Sequence, residues 1–429
     1  MTEKQGTIFP GASPHDVTAA NQAGLAGKRV LLLFPHMVSA GGALAYTLRL
    51  AEQLLRRGAA VAFLTLRADP GKFRLPVGME VISLDGPLTS SLGYWLLFPH
   101  WQRRIEIAIT AWRPDVLVPQ VFPANWWGWL FKRRHPHIPL VWICHEPSAF
   151  IHSLAWIRAL KPRWKGGLAR LLRPFLQKTD VALASFNDRI LANSQFTANE
   201  MKRVYGMAPD GIASPGIDFG SFSAGDGPRE QAVLSVGRLT RFKRVDFLLK
   251  VFKEMLTTHP DLVYHIVGTG EDEVCLRSQA RELGVEAQVV FHGAVTDAAL
   301  VELYRRSLLL LHGSINEPFG IAPLEAIACG TPVVAHRSGG PAEFVTAECG
   351  RLVDSLEVTE WSRQVTSYLD VLQEDQGFPT RVRECARRFD WSISLRPAVA
   401  VIAGICAEDR PGTLPSGTID VNSMHRRMT

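Results

Sequence analysis

The sequence predicts an α/β protein of two doubly wound domains, each a parallel sheet covered by helices on both faces, with a crevice between them. Three observations predict it. Short apolar runs of strand length alternate with longer stretches of helical spacing. That alternation pauses once, in a stretch rich in Gly, Ser, Asp and Pro, and then restarts. The chain of 429 residues is long enough for two cores of ordinary domain size.

Taken in order, residues 1–27 hold Pro, Gly and polar residues without an apolar core segment, so they read as a tail and not as a signal peptide. Arg29 to Phe34 reads as a buried strand, Gly41 and Gly42 as a turn, and Ala43 to Arg57 as an amphipathic helix. The runs Ala60–Leu66, Glu80–Leu84, Asp115–Val118 and Leu140–Cys144 continue the strand series, completing a first domain over 28–218. The linker runs from Ser214 to Arg229. A second domain over 229–390 carries strands at Val233–Val236, Val263–Val267, Val289–Phe291, Leu308–Leu311 and Val333–Ala335. Residues from 407 onward read as a polar tail.

Composition excludes several classes. With 47% hydrophobic and 21% charged residues the chain is globular. Its six cysteines are scattered, with no CxxC pair, so neither a zinc site nor a disulfide framework is expected, and a cytoplasmic setting fits. No apolar run reaches the roughly 20 residues of a spanning helix. A net charge of +6 favours anionic partners. Seven basic residues and no acidic one fall between Ile151 and Lys178, interleaved with Trp156, Trp164 and Phe175. No zinc-finger, RNP-type or helix-turn-helix pattern accompanies this charge, so nucleic acid is not the expected partner.

Two constellations carry chemistry. In Asn316-Glu-Pro-Phe-Gly-Ile-Ala-Pro-Leu-Glu-Ala-Ile-Ala-Cys-Gly330, Glu325 is the only charged residue between Pro318 and His336. A carboxylate there needs hydrogen-bond donors, which a ribose diol would supply. Glu317 precedes the helix, and the amides from Phe319 through Gly320 to Ile321 are unpaired donors at its positive end, suited to a sugar hydroxyl or a phosphate. A capping Glu317 with a backbone-bonded Glu325 is the alternative. In Ser235-Val-Gly-Arg-Leu-Thr-Arg-Phe-Lys-Arg244, Arg238 and Lys243 follow a strand end, where they would stabilise a leaving diphosphate without a metal, or simply form a solvated basic loop. No Asp-x-Asp pair offers a divalent-ion site. Gly41-Gly42 allows a phosphate close to backbone, but a tight turn explains it as well. His145, at the end of the strand Leu140–Cys144, would emerge at the cleft edge, although a lone His is more often structural. The spacing around Gly42 is not GxGxxG, which argues against a dehydrogenase.

The ordered set Gly41-Gly42, Cys-His145-Glu-Pro, Ala-Asn-Ser194, Pro-Gly216-Ile-Asp, Gly-Arg238 with Lys243, Gly268-Thr-Gly270, Phe-His-Gly293, Glu317-x7-Glu325 and Ser-Gly339-Gly-Pro resembles the retaining glycosyltransferases of family 4. That resemblance covers about residues 28–400. It implies a GT-B fold of two Rossmann-like domains, the first for the acceptor and the second for the nucleotide-sugar donor, with a crossover helix over 391–406. By it, Glu325 holds the ribose, Arg238 and Lys243 the diphosphate, Gly42 closes over the phosphates, Gly270 lines the donor site, and backbone near Val295 reads the base. Glu317 and the 319–321 amides hold the transferred sugar and His145 contacts its 6-hydroxyl, so Glu317 and His145 are the catalytic residues, neither named nucleophile or base. The motifs are most similar to mannosyltransferases of lipid-linked or surface saccharides, which implies GDP-mannose as donor, a lipid-linked glycan or glycolipid as acceptor, and no cofactor or metal. Glu146 departs from the small polar residue expected beside His145.

The basic aromatic stretch carries what an interfacial contact needs, with Trp156, Arg158, Lys161, Arg163, Trp164 and Lys165 expected to meet an anionic membrane on its cytoplasmic face. An ordinary basic surface is the alternative. A second aromatic patch, Trp126 to Arg134, either reinforces that contact or packs in the core. Other readings share the donor-site residues: a UDP-sugar-dependent transferase of the resembled family, a nucleotide-sugar hydrolase or epimerase, and a non-catalytic nucleotide-sugar-binding scaffold at a membrane.

Overall fold

The computed structural model describes residues 25–39, 41–153, 163–225, 227–375 and 377–408. In the first domain, β1 (Arg29–Leu33), β2 (Ala60–Thr65), β3 (Glu80–Ser83) and β4 (Val116–Pro119) form a parallel sheet in the order β3-β2-β1-β4. A bridge between Leu117 and Leu140 carries it on to β5 (Val141–Cys144), β6 (Arg189–Ala192) and β7 (Gly211–Ile212). Its helices include α1 (Gly42–Leu55), α2 (Phe98–Trp112), α3 (Ala124–Arg134), α4 (Arg163–Ala184) and α5 (Gln195–Tyr205).

The second domain is a six-stranded parallel sheet of β8 (Ala232–Val236), β9 (Val263–Val267), β10 (Val289–Gly293), β11 (Leu309–His312), β12 (Val333–His336) and β13 (Gly350–Val353), ordered β10-β9-β8-β11-β12-β13. This order reverses next to β8, and ligands of such sheets bind outside the carboxyl ends of the strands at that point. Both domains meet there. The β11 run lies one residue later than the sequence pattern placed it, so His312 is part of the strand and its side chain is buried. The helices named below are α6 (Val245–Met255), α7 (Glu273–Glu282), α8 (Asp297–Arg306), α9 (Ile321–Ala328) and α10 (Arg396–Ala407).

Strands such as β4, β5 and β11 are buried along their whole length, because helices cover both faces and no alternation is needed. The last helix, α10, buries Ala398, Val399, Ile402 and Ala403 among Val30, Leu32, Leu44 and Leu50 of the first domain. The chain therefore crosses between domains twice. The two crossings touch: Ile217 donates its amide to Phe389 O at 2.7 Å, and Trp391 donates back to Ile217 O at 3.3 Å. A Cβ on Gly216 would lie 2.7 Å from Phe389 O, so only glycine permits this approach.

The aromatic patch on α3 is core. Trp127, Trp129 and Phe131 are fully buried and Trp126 nearly so. Their indole nitrogens donate to Tyr94 Oη (2.8 Å), Asn187 Oδ1 (2.9 Å) and, for Trp126, Asp180 Oδ1 (2.5 Å). The membrane alternative for Trp126 to Arg134 is excluded by this burial. Of the residues expected at a membrane, Trp156, Arg158 and Lys161 lie outside the described residues, while Arg163, Trp164 and Lys165 open α4. No helix among the described residues is long and apolar enough to cross a membrane.

Candidate active site

On the second-domain wall of the cleft, loops are fixed by backbone packing. The turn after β8 lies against the turn after β9, with Leu239 donating its amide to Thr269 O at 2.9 Å. A Cβ on Gly268 would fall 1.9 Å from Gly237 O, and one on Gly270 would fall 2.1 Å from Leu239 O. Gly270 thus serves packing, and what it brings forward is Arg238. That side chain is exposed and makes no ion pair among the described residues.

The turn before α9 is held as tightly. Gly340 donates to Glu317 O at 2.7 Å, and a Cβ on Gly339 would lie 2.4 Å from the same oxygen. Phe319 is wedged between Phe344 and Phe389. Gly320 sits at φ 96°, in the left-handed region that glycine tolerates. The amides of Phe319, Gly320 and Ile321 donate to no described residue, and α9 has no side-chain cap.

Glu317 and Lys243 form an ion pair, Nζ lying 2.8 Å from Oε1 and 2.7 Å from Oε2. Burial alone would raise the Glu317 carboxyl, but Lys243 and then His312 hold it down at about 2. Lys243, expected at a diphosphate, is here committed to Glu317. Its exposed neighbour Arg238 is left open to a ligand.

Glu325 faces the cleft from α9, half-buried. Its carboxylate accepts from Tyr304 Oη at 2.9 Å, a side chain on α8, and not from backbone. Burial pushes its carboxyl up to about 7, opposed by the Tyr304 hydrogen bond and aided by Asp297. Val295 lies half-buried at the end of β10, just before Thr296 caps α8.

The first-domain wall begins with Gly41, which precedes α1 in extended conformation without a side-chain cap. Gly42 closes on the other domain, since a Cβ there would lie 2.5 Å from Ile321 Cδ1. The uncapped N-termini of α1 and α9 therefore meet across the cleft. Each presents partial positive charge, and together they make a seat for an anion.

His145 directly follows β5, buried, with Nε2 2.9 Å from Gln120 Oε1 and its ring edge-on to Tyr46. Burial lowers its pKa to about 4, so it is a neutral ring donating to Gln120. Asn193 donates to its carbonyl at 2.9 Å. Glu146, next in sequence, opens into the cleft. Desolvation there, then the Glu317 charge, push its carboxyl up to about 7, against the pull of Arg238 and Lys243.

Two contacts clasp the domains beside this site. Ser194 Oγ donates to Pro318 O at 2.6 Å. Glu343 accepts the first-turn amides of α5, from Gln195 at 2.9 Å and Phe196 at 2.7 Å, as a cap supplied by the other domain. Sequence reasoning missed Glu343, Tyr304, Gln120 and His312; only His312 carried a signal, as a polar residue ending a buried strand. No group of three His, Cys, Asp or Glu side chains able to hold a metal occurs among the described residues.

Comparison with known proteins gives the arrangement a context. Residues 40–220 match the family model described as glycosyltransferase family 4, and residues 221–387 the one described as glycosyl transferases group 1. A D-inositol 3-phosphate glycosyltransferase of Segniliparus rotundus is 29% identical over 89% of this chain and 87% of its own length. D-inositol 3-phosphate glycosyltransferase 2 of Catenulispora acidiphila is 30% identical, over 58% of this chain and 69% of its own. Among solved structures, sucrose-phosphate synthase from Thermosynechococcus elongatus superposes with a TM-score of 0.71 at 20% identity, over 88% of this chain and 97% of that one. HepE of Anabaena, solved with UDP and glucose, gives 0.67 at 20% identity, over 87% and 99%. The fold shared with these proteins is GT-B.

Proposed function

The chain belongs to glycosyltransferase family 4, and on that premise we propose that it transfers a sugar, with retention of configuration, from a nucleoside diphosphate to an acceptor hydroxyl held by its first domain. The observation that carries this reading is the pair of uncapped helix N-termini meeting across the cleft, with Arg238 open beside them. The diphosphate sits at that seat, and the ribose diol reaches Glu325. The transferred sugar lies along the 319–321 amides and Glu317, with its far edge toward His145. The acceptor oxygen bonds to the anomeric carbon as the bond to the diphosphate breaks; the electron pair leaves with the diphosphate, whose departing oxygen takes the acceptor's proton. Arg238 and the helix ends offset that charge, so the step runs without a metal.

Glu146 supports an acceptor that offers a hydroxyl to a carboxylate, since it stands on the first-domain wall opposite Glu317. The relatives' printed name makes a phosphorylated inositol the first acceptor to test. A lipid-linked glycan at the cytoplasmic face of a membrane is the second reading. It is favoured by Leu171, Leu172 and Phe175, exposed at 77%, 45% and 70% on a helix that also carries Arg170 and Lys178. The motif resemblance names GDP-mannose as donor, whereas HepE was solved with UDP-glucose.

The test is product analysis with EDTA present, using GDP-mannose and UDP-glucose, each with inositol 3-phosphate or a lipid-linked glycan. A glycoside of the donor's own anomeric configuration supports the proposal. Release of free sugar alone, with no glycoside from any pair, would overturn the transferase reading in favour of a hydrolase.

A further inference from the structure

His312 is the last residue of β11, only 5% exposed, and its Nε2 has no hydrogen-bond partner among the described residues. An unpartnered buried ring nitrogen is costly, and native cores rarely keep one without a use. This one is aimed at the site. Nε2 lies 3.8 Å from Glu317 Oε2, just beyond hydrogen-bond range. Both Glu317 oxygens are meanwhile held by Lys243, at 2.7 and 2.8 Å.

Lys243 is the only ion-pair partner that Glu317 has among the described residues apart from His312. Any diphosphate seated between α1 and α9 carries more negative charge than Glu317 and competes for the same ammonium. A Glu317 carboxylate released from Lys243 would stand mostly buried between His312 and the sugar, with the buried Ser314 hydroxyl and the His312 ring as its nearby donors.

We propose that His312 is a positioning residue for sugar transfer: as Lys243 turns to the donor diphosphate, the His312 Nε2–H takes over Glu317 Oε2 and keeps that carboxylate oriented on the transferred sugar. This rests on the donor-site reading above. A neutral imidazole suffices, and burial keeps His312 in that form, its pKa lowered to about 4. The handover needs a shift of less than about 1 Å, from 3.8 Å to the usual N–H···O separation. Because the carboxylate that this hydrogen bond orients meets only the transferred sugar, its loss is felt mainly in turnover, with a smaller effect on nucleotide affinity from the handover itself.

The experiment compares wild type with His312→Leu, which removes the donor, and His312→Gln, whose amide can restore it. Calorimetric affinity for GDP and UDP is measured alongside consumption of GDP-mannose and UDP-glucose, hydrolysis included. The expected result for His312→Leu is nucleotide affinity within about twofold of wild type and kcat lowered tenfold or more, with His312→Gln recovering most of the loss. Should His312→Leu fail to fold, His312→Met fills a similar volume with a flexible chain and carries the same test. Wild-type kcat in the apolar variant would overturn the proposal, and so would a loss of nucleotide affinity equal to the loss of kcat. If wild type binds neither nucleotide, the donor-site reading fails and this inference fails with it, a result distinct from the other two.

Discussion

The two walls of the cleft are built by different physics. On the second-domain wall, the loops around Arg238 and Glu317 are positioned by backbone against backbone, at glycines where a single Cβ would collide with a carbonyl at 1.9–2.4 Å. On the first-domain wall, His145 is positioned by side chains: Gln120, Tyr46 and Asn193 hold its ring and its carbonyl. A wall set by backbone tolerates almost no change at its contact points. One set by side chains can be re-aimed residue by residue, which suits the half of the site proposed to hold the acceptor.

The largest effect should come from breaking the rigid wall. Gly339→Ala forces a Cβ onto Glu317 O and also onto a left-handed φ of 82°, so the turn before α9 must move. Nucleotide binding, followed by calorimetry, is expected to vanish, with a lowered melting temperature. Next in size is Glu317→Ala, which leaves the wall standing. Its kcat should fall by about 10² to 10³ while nucleotide affinity changes little, measured by steady-state kinetics beside calorimetry. Parallel losses in both quantities would show that Glu317 belongs to the scaffold and not to the sugar.

What the sequence revealed follows the same division. Gly268, Gly270, Gly339 and Gly340 were legible only as parts of the family-like motif order, and that each marks a close approach came from the structure, whereas the run from Glu317 to Glu325 stood out by its lone interior charge. The strand alternation located the sheets, since buried parallel strands read as unbroken apolar runs. The partners of Glu325, Glu317 and His145 were not legible: Tyr304, His312 and Gln120 come from other elements, and no local spacing links them. The tryptophans of α3 looked equally suited to a membrane or a core, because amphipathic rings satisfy either setting. Their burial, with the indole hydrogen bonds to Tyr94, Asn187 and Asp180, decided it.

A pH series sharpens the contrast at an intermediate scale. Glu325 keeps its proton until about pH 7, so its ionised form, the better acceptor for a ribose diol, grows as pH rises through that value. Nucleotide affinity should increase about tenfold from pH 6 to pH 8, and Glu325→Gln should flatten the profile. The sign follows from the raised carboxyl: the unliganded protein holds this proton more tightly than the unfolded chain, and so loses stability as pH rises from the ordinary carboxylate value of 4.5 to about 7. His145, at about 4, contributes no limb there.

The smallest effect is expected at the clasp. Glu343→Gln weakens the cap on α5, and with it the link between domains, while touching neither wall. Its loss should raise KM for both substrates by about fivefold, in line with a lost helix cap of roughly 1 kcal/mol. A larger change would mean that closure, and not the walls, limits the reaction.

The division of labour between the walls is tested most directly by measuring GDP and UDP binding to wild type, Glu325→Ala and His145→Ala in one calorimetric series. The nucleotide that wild type binds should be lost on changing Glu325 and retained, within about threefold, on changing His145. Retention in Glu325→Ala together with loss in His145→Ala would contradict the account, because the nucleotide would then be held by the first domain.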